Sequence, residues 1–501
     1  MLTTLIRREL LDNLMTFRFA ASVFIVVLLV VSNTVVLIKD YERQLASYNT
    51  ALKVHQNKLA ETKAYSGYQL YVDRPPNPLS LFNIGFDKRL GNQVRVYHAF
   101  VPTLWDAERH GSNNPFLNIF TSIDIVFIFE VILSLTALLF AYDAIVGERE
   151  RQTLRLVLAQ PVRRGYILLA KYISAMVCLL VPLLVSLLLA MILLTSHRSL
   201  SLSSDDFLRI GGIILTSLAY LSVFYLIGLL ISEVTRRTGT ALMLSMFIWG
   251  FLVLVYPNMI LAITSPSQVP QAQIDSTVNH LEQVWNEFDR ERKDFLANDP
   301  VPGESMWFNI GGLGWSSEFL MKREATLDVH FRNYLNLQEI SEASESQVPH
   351  AQNYFRFLEP RIINTAEKTW LLRKQGLEDI FIHPASVDNT LLKFSPIGIY
   401  DSATQAWAGT DLKGIRDFFD AVRQYRQIVI NYFYDKQVFE KRQWFSSDKE
   451  SVDWSTLPQF SFKRSDISIN MKRALPDVCL LLIINVILFM VTSLIFTKSE
   501  V

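Results

Sequence analysis

Two cysteines in 501 residues, Cys178 and Cys479, leave this chain without the means for a disulfide framework or a thiolate zinc site. Both fall inside apolar runs, so they carry no information on redox compartment. The eight histidines are scattered, with no pair at a metal-ligand spacing and no His-Glu-x-x-His. No Gly-Lys dipeptide occurs, which excludes a phosphate-cradling Gly-x-x-x-x-Gly-Lys-Ser/Thr loop, and there is no Gly-x-Ser-x-Gly elbow. Gly311-Gly312-Leu313-Gly314 follows no clear strand and reads as a loop or bend. Net charge is missing too. Lys+Arg and Asp+Glu number 48 each, and this balance argues against nucleic acid as the main partner, because phosphate binding needs a concentrated basic face. The N-terminus has no short apolar core followed by a small-residue cleavage site, so no removable leader is expected. No catalytic residue, metal site or bound cofactor is expected, and any energy source must come from a partner.

What is present is grease. Half of the residues are hydrophobic, and they gather in runs of about 20 residues, the length a bilayer core demands. Spans are expected at 18–38, 119–142, 166–195, 207–231, 239–263 and 474–496. Residues 1–17 place Leu2, Leu5, Ile6, Leu10, Leu14 and Phe17 largely on one face, with Arg7, Arg8, Glu9 and Asp12 opposite. That pattern suits a helix lying in the membrane interface, although an ordinary basic flank gives similar residues. Arg163, Arg164, Lys171, Arg236 and Arg237 put the loops after the second and fourth spans in the cytoplasm under the positive-inside rule. Six spans then leave both termini on the cytoplasmic side and two large segments outside.

The first outer segment, 39–118, opens with Tyr41, Leu45, Tyr48, Leu52, His55 and Leu59, a seam implying that the first span continues as a helix beyond the membrane. Past Arg74-Pro75-Pro76-Asn77-Pro78 it is of mixed structure, with a short strand suggested at Val94–Tyr97. The second, 264–470, carries three heptad seams. These are Ile274, Val278, Leu281, Trp285, Phe288 and Phe295, interrupted by Arg292; Phe355, Leu358, Ile362, Thr365, Thr369 and Leu372; and Ile415, Phe419, Val422, Arg426, Val429 and Phe433. They predict a helical domain of packed hairpins with links at 300–314 and 384–398. The fold class is therefore an α-helical integral membrane protein of six transmembrane helices with a large, mostly helical extracytoplasmic domain.

Three polar residues lie within the spans. Asp124 and Glu130 either line a polar path near its outer mouth, or sit locally, Asp124 at the interface and Glu130 paired with a neighbouring helix; both readings stand. Asn485 lies in the last span and Pro182 in the third, where a kink is expected.

The densest charge cluster between spans lies in the loop 143–165. Glu148, Arg149, Glu150 and Arg151 open it, Thr153 follows, and Leu154, Val157, Leu158 and Pro161 make an amphipathic stripe predicting a helix over 147–160. The order Asp-x-x-x-x-Glu-x-Glu-x-x-Thr-Leu-x-x-x-Leu-x-x-Pro-Val-x-Arg, with Lys171 at the start of the next span, resembles the permease subunits of the ABC type-2 exporter family. Gln152 replaces the usual Gly, and Gln is the better helix former of the two. Phe394-Ser395-Pro396-Ile397, Ala406-Trp407-Ala408-Gly409-Thr410-Asp411 and Tyr425-Arg426 resemble a subgroup with an enlarged loop before the last span.

This resemblance implies a type V ABC exporter-like fold. Residues 1–17 would be its elbow helix and 147–160 its coupling helix. Glu148, Arg149, Glu150, Arg151, Thr153, Leu154, Leu158, Pro161 and Arg163 would dock on a nucleotide-binding ATPase dimer that holds the ATP and Mg. A second permease copy or a paralogue, membrane lipids and periplasmic or envelope proteins complete the implied partners. The alternative from another class is a membrane sensor or scaffold binding an envelope ligand through its helical exterior, but the short cytoplasmic loops argue against it. An ion-coupled carrier would predict inverted repeats, and none is visible.

Overall fold

A computed structural model describes residues 2–88, 90–107, 122–154, 163–197, 199–264, 271–299, 313–321, 327–335, 345–378 and 390–498. Among the described residues six helices are long and apolar enough to cross a membrane: α2 (Phe17–Glu61), α3 (Ile125–Glu150), α4 (Arg164–Ser196), α5 (Ser204–Val234), α6 (Thr238–Ile263) and α11 (Ile467–Lys498). A shorter helix, α1 (Leu2–Leu14), precedes them. Local chemistry fixes several starts. The Thr16 hydroxyl accepts from the Phe19 amide at 3.3 Å to open α2, and Ser203 and Asp206 form a reciprocal capping box at α5. Pro182 lies inside α4, which continues past it. Two spans contain a π-helical turn, Phe129–Leu133 in α3 and Phe251–Val255 in α6.

The spans share one apolar core, and α5 runs through its middle. Of its most apolar stretch 72% is buried, against 11% for α6. Small residues let neighbours approach α5 closely. A Cβ on Gly228 would lie 2.6 Å from the Ala141 Cβ.

The second body, hereafter the head, is built on the far end of α2. It comprises the antiparallel pair β1 (Leu70–Asp73) and β2 (Gln93–Val96) with the helices α7 (Gln271–Asn298), α8 (Val348–Leu377) and α10 (Leu412–Asp435). Its core joins Trp285 and Phe288 to Phe355, Leu358 and Ile362, and to Ile415, Val422 and Phe433, so the heptad seams are its packing faces. Arg426 occupies a seam position because it is saturated. It ion-pairs with Glu367 at 2.6 Å and donates to the carbonyls of Tyr97 and His98.

Three expectations need correction. The glycine cluster is not a plain loop, because Leu313 and Gly314 open β3 (Leu313–Met321), which forms an antiparallel hairpin with β4 (Leu327–Leu335) in an otherwise mostly helical domain at 264–470. Nor does that domain pack as one unit. Helix α9 (Pro396–Ala408) buries Ile397, Ile399, Tyr400, Ala406 and Trp407 in the core of the spans, not in that of the head. The predicted helix over 147–160 is interrupted. It stops at Glu150, and Gln152 takes a left-handed φ of 58°. A residue chosen on helix propensity here ends the helix, which is why glycine would sit more easily at this position.

Candidate functional site

The end of α3 is a knot of charge. A turn at 142–145 leads into a single helical turn, Val146–Glu150. Its free amides at Ile145 and Val146 are capped from outside by the Ser232 hydroxyl of α5, at 3.1 and 3.0 Å. Each charged residue of this turn then reaches a different helix. Asp143 accepts from Arg18 near the start of α2, at 3.0 and 2.9 Å to its two oxygens. Glu148 takes Lys171 of α4 at 2.6 Å, and the same ammonium holds Glu9 of α1 at 3.1 Å. Arg149 donates to the carbonyls of Glu233 and Thr235, at 3.0 and 2.9 Å, and pairs with the Glu233 carboxylate, closing the C-terminus of α5. Glu150 accepts from the Thr238 amide at 3.0 Å and its hydroxyl at 2.9 Å, capping α6. Arg164 adds α11 through the carbonyl of Thr497 at 3.1 Å.

The burial of Lys171 gives this arrangement its strength. Its side chain is 5% exposed and neutralised by two carboxylates. Removing one partner of such a pair leaves an uncompensated charge, typically a cost of about 3–5 kcal/mol.

The remaining predicted site residues sort by placement. Leu154 is 1% exposed and belongs to the core of the spans, so it is not offered to a partner. Arg151 and Gln152 are exposed, and Thr153 is half-buried with its hydroxyl donating to the Glu148 carbonyl at 3.3 Å. Leu158 and Pro161 lie outside the described residues. Arg163 is exposed at the N-cap of α4.

The polar residues at depth are tied locally. Asp124 caps α3, accepting from Phe127 at 2.7 Å and from the Ile84 amide at 2.9 Å, so both its oxygens are engaged. Asn485 donates to the Ala219 carbonyl at 2.8 Å and joins α11 to α5. Glu130 sits in the π-helical turn of α3. Its carbonyl receives the Tyr220 hydroxyl at 3.0 Å and the Ser134 hydroxyl, while among the described residues no basic side chain pairs with its carboxylate.

Sequence pattern gives no hint of Arg18, Glu9, Ser232, Glu233 or Thr238 as parts of this site, because each acts through a partner remote in sequence. Lys171 does carry a signal. A lysine inside an otherwise apolar helix is costly and demands a carboxylate.

Comparison with known proteins now bears on this geometry. The model of the family described as ABC-2 family transporter protein matches residues 3–370. A second model, a domain of unknown function (DUF3526), matches residues 386–463. Among curated proteins, the Probable ABC transporter permease protein NosY of Pseudomonas aeruginosa is 36% identical over 141 residues, 27% of this chain and 50% of that protein. The protein of the same name from Stutzerimonas stutzeri is 33% identical over 135 residues, 26% of this chain and 48% of its own. The chain thus spans about half the length of the curated relatives it matches.

Proposed function

The chain belongs to the ABC-2 family of transporter proteins, and from that premise we propose that it is a transmembrane permease subunit worked by a separate ATP-hydrolysing partner. The partner, a nucleotide-binding dimer carrying ATP and Mg, docks in the cytoplasm on the end of the bundle that holds Val146–Glu150. Arg151, Gln152 and Arg163 form the exposed rim of that docking surface, and the intervening stretch with Leu158 and Pro161 belongs to it. Glu148, Arg149 and Glu150 act behind the rim. A second permease, the same chain or a paralogue, completes the path, and the head lies on the periplasmic side of the inner membrane. Nucleotide binding shifts the assembly between two states by favouring one of them, and a substrate is moved across, or drawn from, the membrane.

The observation that carries this reading is the knot itself. The segment 143–150 is fastened by side chains to α2, α4, α5 and α6, and through Lys171 of α4 to α1 as well. A displacement applied there reaches all of them at once, which a merely solvated connector has no reason to do.

Affinity purification of the full chain from its membrane tests the proposal. The wild type should bring down a P-loop ATPase, and Arg151→Glu with Arg163→Glu should lose it while the bundle stays folded. A cysteine at position 151 labelled by an impermeant reagent from the periplasmic side, or an ATPase retained by the double variant, would overturn it.

A further inference from the structure

Helix α9 joins the head in sequence and the spans in space. Helix α9 lies between Pro396 at its first turn and Gly409, whose φ of 68° closes it in the left-handed conformation. Only Gly409, Thr410 and the N-cap Asp411 separate it from α10, the helix whose apolar face forms the centre of the head. In sequence α9 therefore belongs with the head. In space it is keyed to the spans. The ring of Trp407 covers Gly212 of α5 so closely that a Cβ there would lie 2.4 Å from the indole. Tyr400 stacks on Tyr220 at 4.3 Å between centroids, and its hydroxyl is hydrogen-bonded to that of Ser217 at 2.8 Å. Ser395 donates to the Leu252 carbonyl in the π-helical turn of α6, at 3.0 Å. Asp477 of α11 receives Lys393 at 2.6 Å and Ser402 at 2.7 Å.

The corner after α9 is held just as firmly from the head side. Asn77 donates to the Ala408 carbonyl and the Phe86 amide to that of Thr410, both at 2.9 Å. A side chain at Gly85 would strike the same carbonyl. No slack joint thus lies between α5 and α10. At its other end α5 is gripped by Arg149. The stretch from Gly212 to Glu233 is a continuous helix of about 30 Å.

We infer that α5 and α9 together form a rod that carries displacement from the Val146–Glu150 turn to the head, so that the head is moved by the nucleotide cycle and is not a static ornament. This rests on the docking role proposed above. A mobile head fits work on a component outside the bilayer as well as passage of a substrate through it. Trp407 and Gly212 are positioning residues in this scheme, acting through the helices they lock.

Hydrogen exchange on the full complex with its co-purified ATPase, compared with ATP and with ADP, tests the inference. In the wild type, exchange should change by about tenfold both at 146–154 and at the corner 409–416. Trp407→Ala should keep the response at 146–154 and lose it at 409–416. Tyr400→Phe, which keeps the stack and drops only the Ser217 bond, should weaken the second response without abolishing it, and serves if the alanine variant does not assemble. A corner that responds fully in Trp407→Ala, or a wild type that responds at 146–154 alone, overturns the inference and leaves the docking role standing. No response at 146–154 removes both.

Discussion

The most apolar stretches of helices α5 and α6 are nearly equal in hydropathy, yet 72% of one stretch and 11% of the other is buried within the chain. Hydropathy reports that both avoid water; it does not report what replaces it. The difference lies in the small and hydroxylic residues of α5. Gly212, Ser217, Ser222, Gly228 and Ser232 meet Trp407, Tyr400, Tyr172, Ala141 and the capped turn at Val146 respectively. Gly239 and Gly250 of α6 have nothing within 4 Å of where a Cβ would stand. The lesson is that glycine in a span marks a contact only when something is close enough to need its absence of side chain.

Matched substitutions press that comparison hardest. Gly228→Leu should abolish recovery of monodisperse protein, since overpacking a filled core costs about 1–3 kcal/mol or more and the backbone of α3 lies directly opposite. Gly250→Leu should leave yield and unfolding midpoint unchanged. Equal behaviour of the two would remove the central place given to α5.

Next in size is the grip on the two helix ends. Arg149→Met should destabilise the α5 end by about 2 kcal/mol through lost charge-assisted bonds, read as faster exchange at 231–235. Glu150→Gln, at the exposed cap of α6, should have the smaller effect on its own helix. Within the bilayer, Asn485→Leu should cost about 0.6–1.7 kcal/mol in unfolding assays, the range for a hydrogen bond between spans, because it severs α11 from α5 at Ala219.

The smallest effect lies in the head, where water reaches the ties. Hydrogen bonds from Asn353 and His350 hold the Asp299 carboxyl below its ordinary value of 3.8. A depressed carboxyl contributes stability above its unfolded value and loses it as pH falls through the folded one. Proteolysis between α7 and α8 should therefore rise below about pH 4, and Asp299→Asn should blunt that rise.

How much of this was legible in the sequence follows from the range of the forces involved. The six spans could be read because lipid imposes a length and a composition on each segment alone. The seams of α7, α8 and α10 could be read because a helix repeats its buried face locally, and the segment 142–171 pointed to the ABC-2 family that the family comparison shows. The helix break at Gln152 had one signal, the glycine usual at that position, which favours left-handed backbone and which helix propensity ranks the wrong way. The partners of Glu148, Arg149 and Glu150 could not be read, since they lie 23 to 88 residues away. Helix α9 was assigned to the wrong body because Asp401, Ser402, Thr404 and Gln405 dilute its hydropathy. Their hydrogen bonds to Asn83, Asp477 and one another are what allow polar side chains inside that core.

The length of α2 has a mechanical consequence of its own. Its 45 residues form one unbroken helix from Phe17 to Glu61, so the part within the bilayer and the part inside the head cannot tilt independently. With some 30 Å of helix beyond the span, leaning the buried portion by about 10° would swing the tip by about 5 Å. A rocking motion too small to open a wide channel would thus arrive at the far side enlarged, as at the end of a crane's jib.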